Sequence, residues 1–294
     1  MLKSKPKSNL FLYDNNHTGI GLHPDRYKFS PFFPALRVIG FFNPHFDPSM
    51  LYLVATPIGN LEDLSLRAIR ILQEADIVAC EDTRHARVLF ERHGIRPRRL
   101  VSYHSHNERS RAAELAEDLK TGASVAVVTD AGTPGISDPA WALVREALQI
   151  GIDVIPVPGA CAAIAALSAS GMDTSRFAFE GFLPLKKGRK KRIVGVANED
   201  RTVVVYESPH RIKRLLNELL EACGPERQIA LARELTKHFE EFIRGTIPEV
   251  IARLAEKFPD AVKGECVVVL EGRSKNEEMP KYDFVDIIEE DEVL

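Results

Sequence analysis

A chain of 294 residues exceeds the size at which one hydrophobic core usually keeps growing, so two domains are expected. Its composition, 45% hydrophobic and 28% charged with a net charge of −3, is that of a globular protein and excludes a uniformly basic surface. No apolar run approaches the roughly 20 residues of a membrane span, and the four cysteines lack metal-binding spacing. We therefore expect a cytoplasmic protein with reduced thiols, no membrane association and no bound metal.

The two ends of the chain differ in composition from its middle. Residues 1–49 are rich in Phe, Pro, Asn and His, show no helical or strand period, and lack the apolar stretch of a secretion signal. We interpret them as an atypical N-terminal extension that is either disordered or upstream of a true start at Met50. Residues 275–294 are acidic and poor in apolar residues, which is typical of a solvated tail.

From residue 51 onward, short apolar runs alternate with amphipathic segments. The strands predicted in the first half are residues 51–55, 76–80, 124–128 and 153–157. The helices predicted there are residues 64–75, 109–120, 138–149 and 160–170. Strands that alternate with helices indicate a parallel sheet that is covered on both faces.

The second half of the chain predicts another α/β unit. The periodic pattern weakens between Gly171 and Pro184, and we place a domain boundary there. This gives an N-terminal α/β domain of residues 50–174 and a C-terminal α/β domain of residues 175–274. The strands predicted in the second unit are residues 201–206, 228–232 and 265–270. The helices predicted there are residues 209–222 and 248–257, with Pro209 in a first helical turn.

Three loops rich in Gly and Pro follow strands of the first domain, at residues 56–60, 130–135 and 158–160. In open α/β sheets ligands bind outside the carboxyl ends of the strands, and glycine allows a ligand to approach the backbone closely. None of the loops matches the dinucleotide fingerprint or the P-loop. Each loop alone is equally consistent with a tight turn, but the three together predict a small-molecule site.

Seven motifs resemble, in order, those of the tetrapyrrole methylase superfamily. They occupy residues 56–63, 80–85, 103–108, 129–135, 157–160, 206–211 and 231–237. Over about residues 51–272 their order and spacing are similar to a group of ribosomal RNA methyltransferases within that superfamily. The resemblance implies two α/β domains of the class III methyltransferase type, S-adenosylmethionine as methyl donor in the cleft between them, and a homodimer.

The resemblance also implies the reaction and the donor-binding residues. The expected reaction is methylation of the ribose 2′-oxygen of a cytidine in the decoding region of 16S ribosomal RNA, with that RNA or the small ribosomal subunit as partner. The donor-binding residues carried over from the motifs are Pro57, Asp130, Gly132, Thr133, Ile136, Cys161, Ala162, Tyr206 and Ala232. Contacts of this mainly apolar and backbone kind suit a donor that must be gripped at both ends.

A ribose hydroxyl is a poor nucleophile at neutral pH, so a positioned base or close alignment of the reacting atoms should assist the transfer. The catalytic candidates are the charged residues Glu81, Asp82, Arg84, Glu234 and Lys237. Each group has a structural alternative. The first three belong to a segment in which Asp82 or Thr83 could simply cap a helix. The last two adjoin Arg233, where ion pairing without a catalytic role is the alternative.

Local basic charge predicts contact with RNA phosphates. Six of the seven residues from 186 to 192 are basic, which gives a strong local field on a nearly neutral protein. The alternative for this segment is a solvated loop. The RNA-binding candidates are Arg84, His104, His106, Lys186, Lys187, Arg189, Lys190, Lys191 and Arg192. The two histidines lack a third residue at a spacing that would favour a metal site.

Two other functions stay open at this point. One is a methyltransferase of the same superfamily that acts on a tetrapyrrole or on a protein residue. The other is a non-catalytic ribosome-binding module that has kept the fold. The basic segment 186–192 favours a polyanionic substrate over a small tetrapyrrole, and the absence of a uniformly basic composition favours a folded RNA or ribosomal particle.

Overall fold

The computed structural model describes residues 49–274, which all fall within one compact unit. The predicted N-terminal extension, apart from its last residue, and the predicted acidic tail lie outside the described residues. Two five-stranded sheets, each with helices packed against it, make up this part of the chain, so the predicted α/β class is confirmed. The domain boundary near residue 174 stays a prediction.

The first sheet is entirely parallel. Its strands are β1 (Leu51–Val54), β2 (Ile77–Cys80), β3 (Leu100–Ser102), β4 (Val125–Val128) and β5 (Val154–Val157). They lie in the order β3-β2-β4-β1-β5, and each neighbouring pair is parallel. The helices of this half are α1 (Leu66–Glu74), α2 (Thr83–His93), α3 (Glu108–Lys120), α4 (Trp141–Gln149) and α5 (Ala162–Ser170).

Helices cover both faces of the first sheet, as the side chains of β4 show. Val125 and Val127 pack in a core with α3 and α4, whereas Ala126 and Val128 pack in a second core with α1 and α2. A strand that is buried on both faces needs apolar residues at every position. The uninterrupted apolar sequence of β4 therefore follows from its central place, and the predicted covering of the sheet on both faces is confirmed.

The second sheet is mixed. Its strands are β6 (Phe177–Phe182), β7 (Thr202–Glu207), β8 (Gln228–Arg233), β9 (Glu241–Thr246) and β10 (Cys266–Leu270). They lie in the order β6-β7-β10-β8-β9, and only the β6–β7 pair is parallel. One face packs on α6 (Arg189–Asn198), α7 (Ile212–Cys223) and α8 (Ile247–Lys257), and the other packs on α5. Helix α5 thus follows the last strand of the first sheet in the chain and packs on the second sheet. Its alanines allow the helix to lie close to that sheet.

The structure differs from the sequence prediction in several elements. Strand β6 fills the aperiodic stretch 171–184, and helix α6 contains the second half of the basic segment. Helices α2 and α6 and strands β3 and β9 were not predicted as such. The prediction that Pro209 lies in the first turn of a helix is wrong, because residues 208–211 form a turn closed by the Arg211 N to Ser208 O hydrogen bond, and α7 begins at Ile212.

Within residues 49–274, no helix combines the length and the apolar character that a membrane crossing requires.

Candidate functional site

The three loops rich in Gly and Pro lie side by side at the carboxyl ends of β1, β4 and β5. The backbone nitrogens of Thr56 and Gly132 each donate to the other residue's carbonyl, at 2.9 and 3.1 Å. The Thr133 hydroxyl donates to the Ala160 carbonyl at 3.0 Å. Because β4, β1 and β5 are neighbours and parallel, their ends meet at one edge of the sheet. Hydrogen bonding then makes one continuous surface of the three loops.

Two glycines in these loops occupy positions that a larger residue would disturb. Gly132 has a φ of 90°, in the left-handed region that other residues rarely adopt. Gly159 has an ordinary φ, but a Cβ there would lie 2.9 Å from the Cβ of Ala55. The Gly content of the loops therefore reflects both backbone conformation and close packing of one loop on its neighbour.

A cavity of about 470 Å³ lies between these loops and the second sheet, and its volume is that of a small-molecule site. The residues that line it in the first half are Ile58, Glu81, Asp130, Ala131, Gly132, Thr133, Ile136, Ser137, Asp138, Cys161 and Ala162. Those that line it in the second half are Phe182, Tyr206, Glu207, Ser208, Pro209, Glu265, Cys266 and Val267. The two sheets thus each supply one wall.

Tyr206, near the end of β7, connects the two walls. Its hydroxyl accepts a hydrogen bond of 2.9 Å from the backbone N of Ala163, in the first turn of α5. The side chain of Cys161, the N-cap of α5, makes no capping hydrogen bond to the helix. Tyr206 of the second sheet therefore accepts from an N–H at the start of α5 that has no partner within the helix. Burial, with the nearby Cys161, raises the pKa of Tyr206 and keeps its hydroxyl protonated.

A second contact between the halves joins the loop 56–60 to the loop that follows β8. The backbone N of Asn60 donates to the Thr236 hydroxyl at 3.0 Å. Gly59 lies so close to Lys237 that a Cβ at this position would overlap the lysine side chain. Gly59 therefore allows the two loops to touch.

Three residues with carboxyl groups, Glu81, Asp130 and Asp138, belong to the first-half wall of the cavity. Burial and the charges of Glu81 and Asp130 raise the pKa of Asp138 to about 6. Burial and the charge of Asp130 also raise the pKa of Glu81. Asp130 itself accepts from the backbone N of Asp82 at 3.1 Å and contacts His85 Nδ1 at 3.1 Å. This wall therefore favours a positively charged ligand.

The predicted catalytic residues in the 81–84 segment separate into two roles. Glu81 lines the cavity. Asp82 is the N-cap of α2, where its carboxylate accepts from the Arg84 backbone N at 2.7 Å and from Arg84 Nη2 at 2.6 Å. These hydrogen bonds hold the pKa of Asp82 below its usual range. The Arg84 side chain is 87% exposed. The capping alternative thus describes Asp82, and only Glu81 faces the cavity.

The other two catalytic candidates form an ion-pair chain beside the cavity. Lys237 Nζ lies 3.0 Å from Glu234 Oε1 and 2.9 Å from Oε2 of Glu265, which lines the cavity. The neighbouring Arg233 is buried and pairs with Glu241 at 3.0 Å. Ion pairing without a catalytic role thus describes Arg233. Lys237, in contrast, is linked to the cavity wall by its ion pair with Glu265.

Seven of the nine predicted donor-binding residues line the cavity, namely Asp130, Gly132, Thr133, Ile136, Cys161, Ala162 and Tyr206. Pro57 and Ala232 are buried outside its lining. Ala232 belongs to the apolar cluster in which Cys161 and Tyr206 also pack. Residues of motifs that are distant in sequence thus lie close together around one cavity.

The predicted site residues did not include several polar and aromatic residues of the lining, among them Asp138, Phe182, Ser208 and Glu265. Asp138 follows the motif 129–135 in the same loop, and Ser208 lies inside the motif 206–211, so both could have been found. Phe182 and Glu265 lie outside every motif, and nothing in the linear sequence marks them.

The basic segment 186–192 is divided by its own helix. Arg189 is 2% exposed, and its guanidinium pairs with Glu218 at 2.8 Å and with Glu207 at 3.3 Å. Arg211 pairs with the other oxygen of Glu207 at 2.7 Å. The buried Glu207 carboxylate requires such compensation. Arg189 therefore lies inside the protein and, contrary to the prediction, does not present its guanidinium to an RNA.

The remaining basic residues of the segment are exposed around the start of α6. They are Lys186, Lys187, Lys190, Lys191 and Arg192. Gly188 is the N-cap, and the first turn of the helix contains no acidic residue. Because unpaired backbone N–H groups and the helix dipole both attract anions, the lysines and the helix end act in the same direction.

The predicted histidine pair lies on a different loop. The His104 backbone N donates to Asn107 Oδ1 at 2.8 Å, and the His104 and His106 rings meet edge to face with centroids 5.9 Å apart. Over the described part of the chain, no three His, Cys, Asp or Glu side chains are arranged to hold a metal ion.

Comparisons with known proteins agree with these motifs. Residues 50–251 match the family of Tetrapyrrole (Corrin/Porphyrin) Methylases. The chain is 48% identical over 229 residues to Ribosomal RNA small subunit methyltransferase I of Haemophilus influenzae, covering 78% of this chain and 80% of that protein. It is 49% identical over 219 residues to the protein of the same name from Mesorhizobium japonicum, covering 74% of each.

Solved structures share the fold at lower sequence identity. A diphthine synthase superposes with a TM-score of 0.58 at 18% identity, over 76% of this chain and 90% of that chain. A uroporphyrin-III C-methyl transferase from Thermus thermophilus, complexed with S-adenyl homocysteine, superposes with a TM-score of 0.54 at 23% identity, over 76% and 97% of the two chains. The family match spans most of the chain and the relatives approach half identity, so the chain belongs to the tetrapyrrole (corrin/porphyrin) methylase family.

Proposed function

We propose that the chain is a ribosomal RNA methyltransferase that uses S-adenosylmethionine and methylates the ribose 2′-oxygen of a cytidine in the decoding region of the small-subunit RNA. The cavity between the two sheets, lined by seven residues of the donor motifs, is the observation that supports this most directly. The names of the relatives, Ribosomal RNA small subunit methyltransferase I, support RNA as the acceptor. Its site of action is the cytoplasm, and its assembly a homodimer, as the resemblance implies.

The cavity residues fit this donor. When bound, the donor supplies a methyl group on a positively charged sulfonium. The carboxyl groups of Glu81, Asp130 and Asp138 give the cavity the opposite charge, and about 470 Å³ falls within the range of small-molecule sites. Backbone groups of residues 130–133 and of Cys161 and Ala162 line the cavity beside apolar contacts from Ile58 and Val267.

We assign proton transfer to the carboxyl groups at the cavity wall. Methylation would form an O–C bond at the ribose while the bond from the methyl group to the donor's sulfur breaks and S-adenosylhomocysteine leaves. The ribose O–H proton must then pass to a nearby base. Glu81 and Asp138 both face the cavity, and burial raises the pKa of each. A carboxylate with a raised pKa binds a proton more strongly than an ordinary one, which suits it to this step. Lys237 then has a positioning role, because its ion pairs hold Glu234 and the cavity residue Glu265 in place, and it does not accept the proton.

The exposed lysines around the start of α6 form the proposed RNA contact. These lysines are Lys186, Lys187, Lys190 and Lys191, which are close in sequence and exposed. Replacement of all four by alanine should weaken RNA binding and reduce its salt dependence, because fewer counterions are released from the phosphates. The variant should keep its affinity for S-adenosylmethionine, which calorimetry would measure.

The central experiment is methylation of purified small ribosomal subunits that lack the modification. The protein and labelled S-adenosylmethionine should produce 2′-O-methylcytidine, identified by mass spectrometry after nuclease digestion. A Gly132→Val variant serves as control, since its β-branched side chain is incompatible with a φ of 90°. Donor binding without RNA methylation would favour a tetrapyrrole or protein acceptor. Absence of donor binding would favour a non-catalytic ribosome-binding module.

A further inference from the structure

Strand β6 contains a bulge beside the cavity. Phe179 pairs with Val204 of β7, and Gly181 pairs with the next residue, Val205. Glu180 is therefore an extra residue in β6 with no partner in the register. Gly181 has a φ of 60°, which suits glycine in a bulge.

The bulge reverses the side on which Phe182 lies. In a regular strand residues three apart point to opposite faces. Here the Phe179 and Phe182 rings both contact Tyr206, with centroids 5.1 and 5.5 Å from its ring. Phe182 therefore lies on the cavity side of the sheet, whereas a β6 without the bulge would direct it towards α6 and α7.

Phe182 remains 56% exposed although it lines the cavity. The protein thus presents an aromatic ring to solvent at the mouth of the site while the neighbouring Phe179 is largely covered. Bulges often redirect side chains at functional sites, so this exposure indicates an occupant that the described residues do not supply. Ile136, also exposed, lies on the adjoining loop. A Cβ on Gly181 would come within 3.3 Å of Ser137 Oγ on that same loop.

The chain connects Phe182 directly to the basic segment. Only Leu183, Pro184 and Leu185 separate it from Lys186. An aromatic ring at the cavity and phosphate-binding lysines a few residues away match the two requirements of single-stranded RNA, which stacks its bases and presents its charged backbone.

We propose that Phe182 is the stacking platform on which the base of the acceptor nucleotide rests while its ribose enters the cavity. This inference rests on the proposed RNA methyltransferase function and adds a residue outside all of the sequence motifs. Stacking on a ring is tolerant of base identity, so Phe182 positions the nucleotide and does not by itself select cytidine.

The test compares Phe182→Ala, Phe182→Leu and Phe182→Tyr, with Phe177→Ala as a matched control on the same strand away from the cavity. Small ribosomal subunits lacking the modification are the substrate. Loss of a base stack should lower kcat/KM about 10-fold or more for Phe182→Ala, mainly through KM. Phe182→Leu should resemble Phe182→Ala because leucine keeps apolar bulk without a ring. Phe182→Tyr should retain activity because it keeps the ring, and Phe177→Ala should match the wild type.

Calorimetry with S-adenosylmethionine separates the two ligands that a ring could stack. Unchanged donor affinity in Phe182→Ala supports the acceptor platform, whereas a fall in donor affinity equal to the fall in kcat/KM would assign the ring to the donor's adenine and overturn the proposal. Full activity of Phe182→Ala in an active wild-type background would also overturn it. A wild-type protein that does not methylate subunits would contradict the proposed function itself. Thermal unfolding of all the variants confirms that they fold.

Discussion

The two walls of the cavity are built by different physical means. The wall from the first sheet consists of loops at parallel strand ends, joined by backbone hydrogen bonds and shaped by Gly132 and Gly159. The wall from the second sheet consists of side chains, with Tyr206 and Phe182 in front of a buried ion pair between Arg189 and Glu207. The first wall depends on backbone conformation, whereas the second depends on charge compensation. Substitutions should therefore damage the two walls in different ways.

The largest effect is expected from the buried ion pairs of the second wall. Arg189→Ala leaves Glu207 without one of its two cations in a buried setting, and we expect the free energy of unfolding to fall by about 3–5 kcal/mol. Lys191→Ala, an exposed change two residues further on, should alter it by less than about 0.5 kcal/mol. Urea unfolding measures both. Equal small losses would show that Arg189 is solvated like its neighbours.

The first wall should respond to added volume. Gly159→Ala places a methyl group against Ala55, and overpacking of this kind costs about 1–3 kcal/mol. The matched control is Gly195→Ala in α6, where a Cβ meets nothing within 4 Å. That change should stabilise the protein by about 0.5–1 kcal/mol, since glycine is unfavourable within a helix. If both alanines stabilise, the loop at Gly159 is not closely packed.

The carboxyl groups of the first wall should give a pH-dependent effect. The pKa of Asp138 is raised to about 6, so folding is penalised once this carboxyl ionises. The penalty is absent below the unfolded-state pKa of about 3.9 and complete above pH 6. Since water partly screens the group, Asp138→Asn should stabilise the protein by about 1–2 kcal/mol at pH 8 and by nothing at pH 4.

Chemical denaturation between pH 4 and pH 8 measures this difference. The control is Asp153→Asn, an exposed change distant from the cavity, which should stay within about 0.5 kcal/mol of the wild type across the range. A gain for Asp138→Asn that does not vary with pH would mean that charge on Asp138 is not its cause.

The smallest effect is expected at the hydrogen bond that joins the walls. Tyr206→Phe removes the acceptor of the Ala163 N–H and should cost about 1 kcal/mol of stability. Tyr103→Phe removes a comparable hydroxyl, bonded to Glu108, away from the cavity. Both variants should lose similar stability in urea unfolding, but only Tyr206→Phe should weaken S-adenosylmethionine binding in calorimetry. Equal donor affinity in the two variants would separate the Tyr206 hydroxyl from the site.

The elements that could be predicted from sequence are those whose pattern follows from burial alone. Strand β4 is central and covered on both faces, so its residues are apolar throughout. Strand β6 was missed because it lies at an edge and its bulge interrupts the alternation of side chains. The parallel first sheet was therefore predictable in outline, and the mixed second sheet was not.

The candidate site divides in the same way. Glycine and proline mark the loops of the first wall in the sequence, because their backbone conformation is local. The role of Arg189 depends on Glu207 and Glu218, which are 18 and 29 residues away. Six basic residues in seven positions look equivalent in one dimension, and only packing shows which of them is internal.

The hydrogen bond from Ala163 to Tyr206 has a consequence for how the site opens. Because α5 receives its N-terminal partner from the other sheet, separating the sheets would expose an unpaired N–H and fray the helix that borders the cavity. Opening of the cleft and loosening of its floor are thus a single cooperative event. A ligand that contacts both walls would suppress the opening of the cleft and the fraying of α5 together. Amide hydrogen exchange in α5 would therefore slow in proportion to the occupancy of the cavity, although the helix only borders it.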